Sequence, residues 1–288
     1  MTDFILLHPF DFQDFVRRAL NEDEGKGDLT SLSVIPPEQD GKMKLLVKEN
    51  GIIAGVEAAK MIFEYIEPRA RLKVYWRDGT PVSKGDVVFT VNGNYRKLLL
   101  AERLVLNVMQ RMSGIATKTR ALQTICEGTK AKVCDTRKTT PGFRYFEKWA
   151  VHLGGGANHR FGLYDMILIK DNHVDVAGGI SKAIFSANTY LKKNKSNIPI
   201  EIETRSLKEV KEVLKTGMVQ RILLDNFSAA DTRKAVKRIN GLFETESSGG
   251  ITEKNIRLYA ECGVDYISVG ALTHHVSSLD MSLKVESL

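Results

Sequence analysis

Two pairs of cationic side chains stand beside turn-forming or glycine-rich segments, where they could bind anions. The pairs are Arg137 and Lys138 in DTRKTTPG (residues 135–142), and His159 and Arg160 in HLGGGANHRFGLYD (residues 152–165). Consecutive glycines allow successive backbone N–H groups to form an anion-binding nest, here next to the second pair. Each segment alone is also compatible with a solvated turn or a flexible surface loop, but together they favour a cationic site.

Arginine is well suited to carboxylates, because its planar fork donates two parallel hydrogen bonds. Two arginines at different angles could therefore hold two carboxylates on one ring, and Arg103, Arg137 and Arg160 are the candidates. Lys170 ends the apolar run MILIK, where a charge is costly unless it lies at a rim or is paired. These residues favour an acidic substrate.

Two carboxylates also end apolar runs, since Glu203 ends IEIE and Asp225 ends RILLD. Carboxylates that face a basic pocket can accept hydrogen bonds from sugar hydroxyls or hold a metal ion through water, although ordinary ion pairing is the alternative. Small residues and helix starts follow in ESSGGITEKN (residues 246–255) and SVGALTHH (residues 268–275). Barrels often bind phosphate at such positions, and helix capping by Ser or Thr is an alternative that can coexist with it.

The second part of the chain contains six short apolar runs, each followed by a loop and a helical stretch. The runs span residues 132–135, 166–170, 200–203, 221–225, 242–247 and 265–270. This alternation indicates βαβ units and a parallel sheet, either doubly wound or closed toward a barrel, and we favour the barrel. Functional groups of such barrels lie at the carboxyl ends of the strands, so the polar residues that end these runs should meet at one rim.

The first part of the chain, up to about residue 93, has a mixed pattern that predicts an α/β sandwich. The predicted elements are strands at residues 42–49 and 71–76, a helix that starts near Val56, a hairpin-like excursion over residues 78–93, and a long helix from Tyr95 to about Glu127 that connects two domains.

The net charge narrows the choice of ligands only in part. Lys plus Arg minus Asp plus Glu is 42 − 35 = +7 over 288 residues, and the pI is near 9.2. Nucleic acid, phosphorylated metabolites and polycarboxylates all remain open on charge alone. Non-catalytic nucleic-acid binding is disfavoured, because the sequence lacks a basic stripe with interleaved aromatic residues and YLKKNKSN (residues 190–197) is typical of a solvated loop.

Cysteine usage and hydropathy bear on location. Cys126, Cys134 and Cys262 are too few and too scattered for a disulfide framework or a CxxC motif, which fits a reducing cytosol. The N-terminal 15 residues include an early acid and no basic leader, so we expect no signal peptide. No apolar stretch approaches the roughly 20 residues of a spanning helix, so we expect no membrane anchor.

Several strings resemble the quinolinate phosphoribosyltransferase family, also called nicotinate-nucleotide pyrophosphorylase (carboxylating). They are ERLVLNVMQRMSGIAT (residues 102–117), DTRKTTPG, GGGANHRFGLYDMILIKDNH (residues 154–173), EIE (residues 201–203), LLDNF (residues 223–227), ESSGGIT (residues 246–252) and DYISVGALTH (residues 265–274). GDLTS (residues 27–31) and the N-terminal half fit more loosely. The strings occur in order through nearly the whole chain, which makes the resemblance specific.

The resemblance implies an N-terminal α/β sandwich domain (residues 1–112) and an open, seven-stranded α/β barrel domain (residues 113–275), with the tail (residues 276–288) packed back on the first. It also implies an obligate homodimer that sometimes assembles further, for instance into a hexamer. The implied reaction joins quinolinate to 5-phosphoribosyl 1-pyrophosphate with Mg²⁺ and gives nicotinate mononucleotide, pyrophosphate and CO₂ in NAD synthesis. No organic cofactor, nucleic acid or membrane is implied, and the location would be cytoplasmic.

Site roles follow from the resemblance residue by residue. The implied quinolinate ligands are Arg137, His159, Arg160 and, from the neighbouring subunit, Arg103, while Lys138 and Lys170 flank substrate and pyrophosphate. Glu203 and Asp225 are implied to hold ribose hydroxyls and the water shell of the metal. The residues that match phosphate-binding loops are Ser248, Gly249, Gly270 and His274. Lys138, Lys170, Glu203 and Asp225 form the implied catalytic set. The segment between Glu203 and Asp225 is one residue longer than the resemblance implies.

The alternative within enzymes is a related phosphoribosyltransferase with a different acceptor, such as the molybdenum-associated type that shares this architecture. The full set of cationic residues favours a dicarboxylate acceptor.

Overall fold

The structure is a computed structural model that describes residues 10–286. Most of the N-terminal run on which the expectation of no signal peptide rests lies outside the described residues. The chain divides into two compact units, of which the first comprises residues 1–120, 140–155 and 275–288, and the second comprises residues 121–139 and 156–274. Across residues 10–286, every helix is too short or too polar to span a bilayer.

Strands and helices alternate through most of the chain. The strands are β1 (Asp40–Val47), β2 (Gly51–Ile52), β3 (Arg71–Val74), β4 (Pro81–Val82), β5 (Val87–Asn94), β6 (Lys132–Cys134), β7 (Ile167–Ile169), β8 (Ile200–Thr204), β9 (Arg221–Asp225), β10 (Glu244–Ser248), β11 (Tyr266–Ser268) and β12 (Met281–Val285). The helices are α1 (Phe12–Glu24), α2 (Leu29–Val34), α3 (Val56–Ile66), α4 (Tyr95–Ile125), α5 (Arg144–Leu153), α6 (Asp171–Ala177), α7 (Ile180–Lys193), α8 (Leu207–Thr216), α9 (Ala229–Ile239), α10 (Ile256–Ala260) and α11 (Ala271–His274).

The first unit contains a four-stranded antiparallel sheet in the order β12-β1-β5-β3. Met43, Leu45 and Val47 alternate along β1 and are buried, as a sheet with one covered face requires. The predicted strands at residues 42–49 and 71–76 are confirmed as β1 and β3. The predicted helix start is confirmed at Val56, whose N–H donates to Asp78 Oδ1 at 2.8 Å. The long helix is confirmed as α4.

The expected hairpin over residues 78–93 is wrong in its pairing. The segment contains β4 and β5, and Asp86 N donates to Ser83 O at 3.0 Å in the turn between them. However, β4 pairs with β2, whereas β5 pairs with β1 and β3. Four successive buried residues in β5 suit a central strand, and a two-residue β4 that begins with Pro81 is too short to partner it.

The second unit is a six-stranded parallel sheet in the order β6-β11-β10-β9-β8-β7. All six strands predicted from the sequence are present, and helices follow them. The seventh strand implied by the resemblance is absent from the described residues; in its place Ala157 forms an isolated parallel bridge with Cys134. β6 and β7 are therefore the two edges of an open sheet.

Alternation along the central strands separates an apolar layer from a polar interior. Ile202, Ile222 and Leu224 belong to the buried core that packs with the surrounding helices. The intervening positions carry Glu201 and Glu203 on β8, Arg221 and Asp225 on β9, and Glu244, Glu246 and Ser248 on β10. Because side chains at i and i+2 share a face, these polar groups lie on the face of the sheet opposite to this apolar layer.

We expect Leu224→Ala to lower the free energy of unfolding by about 2–5 kcal/mol, because a fully buried leucine leaves a cavity. The matched control is Leu242→Ala, since 69% of Leu242 is exposed against 1% of Leu224. The control should change stability by less than about 0.5 kcal/mol. Urea unfolding followed by circular dichroism measures both, and equal effects would contradict the assigned core.

Candidate active site

A cavity of about 530 Å³ opens at the carboxyl ends of the second unit's strands. Eight residues singled out from the sequence line it, namely Arg137, Lys138, His159, Arg160, Lys170, Glu203, Asp225 and Ser248. Six of them lie near the carboxyl ends of, or shortly after, the five strands β6 to β10, as expected where parallel strands deliver their ends to one rim, and His159 and Arg160 lie between α5 and β7. Leu168 and Leu223 add apolar surface among these charges.

Four further candidates from the sequence lie next to the cavity lining or elsewhere. Gly249 directly follows Ser248 in the cavity wall. A Cβ at Gly270 would lie 3.0 Å from His274 Nε2 and 3.1 Å from Lys138 Cδ, so the turn after β11 packs against Lys138. Arg103 is an exposed residue of α4 in the first unit.

A buried carboxylate fixes the segment that carries His159. Asp135 is fully buried after β6, and its side chain accepts hydrogen bonds from His159 N at 2.9 Å and Asn158 Nδ2 at 2.6 Å. The segment therefore returns to the end of β6, two residues before Arg137. Sequence reasoning missed Asp135, although it precedes the basic pair in DTRKTTPG.

The expected anion-binding nest at residues 154–156 is wrong for two of the three glycines. Gly154 N donates to Ala150 O and Gly155 N donates to His152 O, both at 2.9 Å, so these groups end α5. A Cβ at Gly154 would lie 2.6 Å from Ala116 O. Close backbone approach explains this glycine, and the cationic side chains remain the candidates for anion binding.

Arg137 and Arg160 form the cationic part of the cavity. Among the described residues, Arg137 Nε is buried and has no hydrogen-bond partner. Burial and the nearby charge of Arg137 lower the pKa of Arg160. Two guanidinium groups that repel each other, one with an unused donor, suit an anionic ligand placed between them.

His159 differs from a simple cation. Its Nδ1 accepts a hydrogen bond from Arg160 N at 2.7 Å, which places the ring proton of the neutral imidazole on Nε2. Nε2 lies 2.9 Å from Glu201 Oε2 and 3.7 Å from Glu246 Oε1. Both ring nitrogens therefore face protein groups, and His159 joins the cavity wall to a deeper network.

That network consists of buried carboxyl groups with one arginine. Burial is the main cause that raises the pKa of Glu201 and of Glu246 to about 7, and the charge of Glu201 adds to the effect on Glu246. Arg221 opposes both shifts, donating from Nη1 to Glu246 Oε2 at 3.0 Å. The guanidinium carbon of Arg221 lies 3.9 Å from the centre of the Tyr266 ring.

His159, Glu201 and Glu246 offer three ligand atoms within 4.8 Å of one another, in number enough to hold a metal ion. Arg221 already supplies positive charge to this cluster, while Glu201 Oε1 and Oε2 and Glu246 Oε1 have no hydrogen-bond partner among the described residues. Sequence reasoning missed Glu201, Arg221 and Glu246. The available signal was their even spacing from candidates on the same strand faces: Glu201 and Glu246 lie two residues before Glu203 and Ser248, and Arg221 lies four before Asp225.

Glu203 and Asp225 form the acidic part of the cavity. Burial raises the pKa of each, and the charge of Asp225 raises that of Glu203 further. Lys170 opposes both shifts. Half-buried carboxylates whose burial disfavours the charged form are suitable partners for a hard cation with oxygen ligands, so the residues present fit Mg²⁺ held through water.

Fold and cavity together define a class: an enzyme on an open parallel α/β barrel, with a site for acidic substrates at the strand ends. The chain matches "Quinolinate phosphoribosyl transferase, N-terminal domain" over residues 28–113 and "Quinolinate phosphoribosyl transferase, C-terminal domain" over residues 115–284. It belongs to the quinolinate phosphoribosyltransferase family, which confirms the resemblance seen in the sequence.

Relatives support this assignment over the full chain. Identity is 44% to quinolinate phosphoribosyltransferase [decarboxylating] 2b, mitochondrial, of Nicotiana tabacum, covering 97% of this chain and 84% of the relative. It is 45% to nicotinate-nucleotide pyrophosphorylase [carboxylating], chloroplastic, of Arabidopsis thaliana, with the same coverage. The crystal structure of NadC from Streptococcus pyogenes matches with a TM-score of 0.91 and 36% identity, covering 97% of this chain and 99% of that one.

We expect Glu246→Gln to change how stability depends on pH. Above the ordinary carboxyl pKa of 4.5 the unfolded chain has lost a proton that the folded protein keeps until about pH 7. The stability of the wild type therefore falls as pH rises through this window. Thermal unfolding should show that the stability of the variant rises relative to that of the wild type from about pH 5 to pH 7, and that the difference stays constant above pH 7.

Glu244→Gln is the matched control, because Glu244 also pairs with Arg221 but has a half-exposed side chain. Identical pH curves for the two variants would attribute the effect to Arg221 and contradict the role of burial.

Proposed function

We propose that this protein catalyses the transfer of phosphoribosyl from 5-phosphoribosyl 1-pyrophosphate to quinolinate, with decarboxylation, in NAD synthesis. The products are nicotinate mononucleotide, pyrophosphate and CO₂. The observation that carries the proposal is one cavity with Arg137 and Arg160 beside two half-buried carboxylates, Glu203 and Asp225. An acid and a sugar can be held next to each other there.

Quinolinate is placed by charge and shape. Arg137 and Arg160 donate to its carboxylates, and the unused Nε of Arg137 supports this assignment. Lys138 and Lys170 add positive charge between the acid and the departing pyrophosphate. We propose that His159 contacts quinolinate as a neutral imidazole, since its Nδ1 accepts a hydrogen bond from Arg160 N.

The activated sugar is placed by the acidic side of the cavity. Glu203 and Asp225 accept hydrogen bonds from ribose hydroxyls, while Ser248, Gly249, Gly270 and His274 surround the 5-phosphate. Glu203 and Asp225 would also hold the water shell of Mg²⁺, which when bound neutralises charge on pyrophosphate. Gly249 has a φ of +96°, which favours glycine beside a bound phosphate.

The chemistry requires charge stabilisation on both sides of the breaking bond. The C1–O bond to pyrophosphate breaks, and the ring nitrogen of quinolinate forms the new bond to C1. Glu203 and Asp225 stabilise the oxocarbenium-like sugar, and Lys138 and Lys170 stabilise the leaving group. The quaternised ring then accepts the electron pair of the C2–carboxylate bond as CO₂ departs, and C2 takes up a proton.

We also propose a homodimer in which Arg103 of the partner subunit completes the quinolinate site, with dimers able to assemble into a hexamer. The exposure of Arg103 on α4 supports this arrangement. We place the reaction in the cytoplasm, which the three buried, scattered cysteines support.

The test is to incubate the full chain with Mg²⁺, 5-phosphoribosyl 1-pyrophosphate and quinolinate carrying labelled carbon at the 2-carboxylate. Formation of nicotinate mononucleotide with equimolar labelled CO₂ is expected, and a chelator should abolish it. Equal turnover of nicotinate would sink the dicarboxylate assignment and favour a paralogue with another acceptor.

Arg137→Lys should raise the KM for quinolinate about 10- to 100-fold, because it keeps the charge but loses the paired donors. The KM for 5-phosphoribosyl 1-pyrophosphate should change much less. Arg257→Lys, at an exposed arginine that pairs with Glu261, is the control and should alter neither constant. Steady-state kinetics measures this, and an unchanged quinolinate KM in Arg137→Lys would remove that residue from the site.

Arg103→Ala and Arg160→Ala proteins, each nearly inactive alone, should regain activity when mixed. One of the two sites in a mixed dimer is then intact, so activity should approach about a quarter of the wild type after random exchange. Native mass spectrometry verifies exchange. Mixed dimers without activity would contradict a shared site.

A further inference from the structure

The turn after β9 joins two residues of the cavity wall. Asn226 Nδ2 donates to Asp225 Oδ2 at 2.6 Å, and Asn226 N donates to Ser248 O at 2.8 Å. We propose that Asn226 is a positioning residue that holds the Asp225 carboxylate in one orientation and locks its turn to the Ser248–Gly249 turn. The proposal rests on the proposed function, because that function gives Asp225 the ribose hydroxyls.

The backbone of Asn226 is built for this position. Its φ is +54°, in the left-handed region that asparagine tolerates better than most side chains. Four non-glycine residues have positive φ in the described part of the chain, and Asn226 alone directly follows a cavity-lining side chain. The unusual conformation therefore coincides with a residue proposed to touch substrate.

The second turn is shaped around the same side chain. A Cβ at Gly249 would lie 2.1 Å from Asn226 Oδ1 and 2.6 Å from its Cγ. The Asn226 amide thus occupies the space that any larger residue at 249 would need. Asp225 and Ser248 are also direct neighbours in the ladder between β9 and β10. The ends of β9 and β10 are therefore joined to each other, with the Asn226 amide group between them.

This arrangement affects ligand binding more than folding. A carboxylate that accepts a short hydrogen bond on one oxygen keeps one orientation, so less conformational entropy is lost when a sugar binds to it. Asn226 itself is exposed and lies outside the core. Its removal should therefore weaken the sugar site while the fold persists.

The test compares Asn226→Gly with Asn240→Gly. Glycine keeps the left-handed backbone and removes the amide, and Asn240 has a φ of +49° at the end of α9, away from the cavity. Asn226→Gly should weaken binding of Mg²⁺–phosphoribosyl pyrophosphate in calorimetry, and lower kcat/KM for it, about tenfold. In Asn226→Gly, the quinolinate KM and the thermal midpoint should stay at wild-type values. In Asn240→Gly, the binding constant, both KM values, kcat and the thermal midpoint should all stay at wild-type values.

Unchanged binding of the pyrophosphate substrate in Asn226→Gly would overturn the proposal, and so would equal losses for both substrates together with a lower thermal midpoint. Calorimetry distinguishes failure of this proposal from failure of the proposed function. A wild type that binds phosphoribosyl pyrophosphate but forms no nicotinate mononucleotide disproves the function. The ratio of the binding constants of wild type and Asn226→Gly still tests the role of Asn226.

A double-mutant cycle tests the lock between the turns. In the wild type, Gly249→Ala should weaken phosphoribosyl pyrophosphate binding more than Gly250→Ala, because both have positive φ but nothing lies within 4 Å of a Cβ at Gly250. In the Asn226→Gly background the effect of Gly249→Ala should shrink, since the two side-chain clashes are gone and only the backbone nitrogen of residue 226, at 2.9 Å, remains close. Additive effects would overturn the lock, and Asn226→Gly alone remains decisive if Gly249→Ala does not fold.

Discussion

Charge balance inside the second unit's sheet is the constraint on which the site depends. Strand alternation turns Glu201, Arg221 and Glu246 inward, where isolated charges would be costly. Arg221 and the raised pKa of both carboxyl groups reduce this cost. His159 connects the buried layer to the cavity wall through Glu201. Among the described residues, Glu201 Oε1 and Oε2 and Glu246 Oε1 still have no hydrogen-bond partner, so the cationic rim lies next to an interior whose carboxyl groups are only partly satisfied.

Under the proposed function, this layering explains how one cavity would serve two unlike ligands. Arg137 has an unused donor, and burial together with the charge of Arg137 lowers the pKa of Arg160, so this side favours anions. Glu203 and Asp225 on adjacent strands make the other side suited to hydroxyls and a hydrated cation. The separation follows from strand order, because β8 and β9 are neighbours whereas Arg137 follows the edge strand β6.

Three residues of the site could be predicted because each ended a recognisable apolar run. Lys170, Glu203 and Asp225 were found in this way, and the parallel sheet then required that they meet. Glu246 was missed because it lies inside a strand, where its burial depends on partners from distant parts of the sequence. Asn226 was missed because its role depends on a left-handed backbone angle that residue type alone does not specify.

Other expectations failed where distant contacts override local patterns. Composition could not distinguish a glycine that exposes N–H groups from one such as Gly154, which a neighbouring helix forces to be small. Local turn signals over residues 78–93 could not reveal that β5 pairs with β1 and β3. Instead of a seventh strand, the described residues have a single bridge at Ala157, which is too short to produce a hydrophobic periodicity in the sequence.

Leu168 and Leu223 have a consequence of their own. They give a charged chamber two hydrocarbon patches, and Leu223 is 6% exposed. A flat aromatic acid can cover such patches and displace water from them, while a flexible aliphatic diacid with similar carboxylate spacing leaves them wet. Under the proposed function, rejection of open-chain diacids would then depend on two uncharged side chains, while the arginines attract every diacid alike.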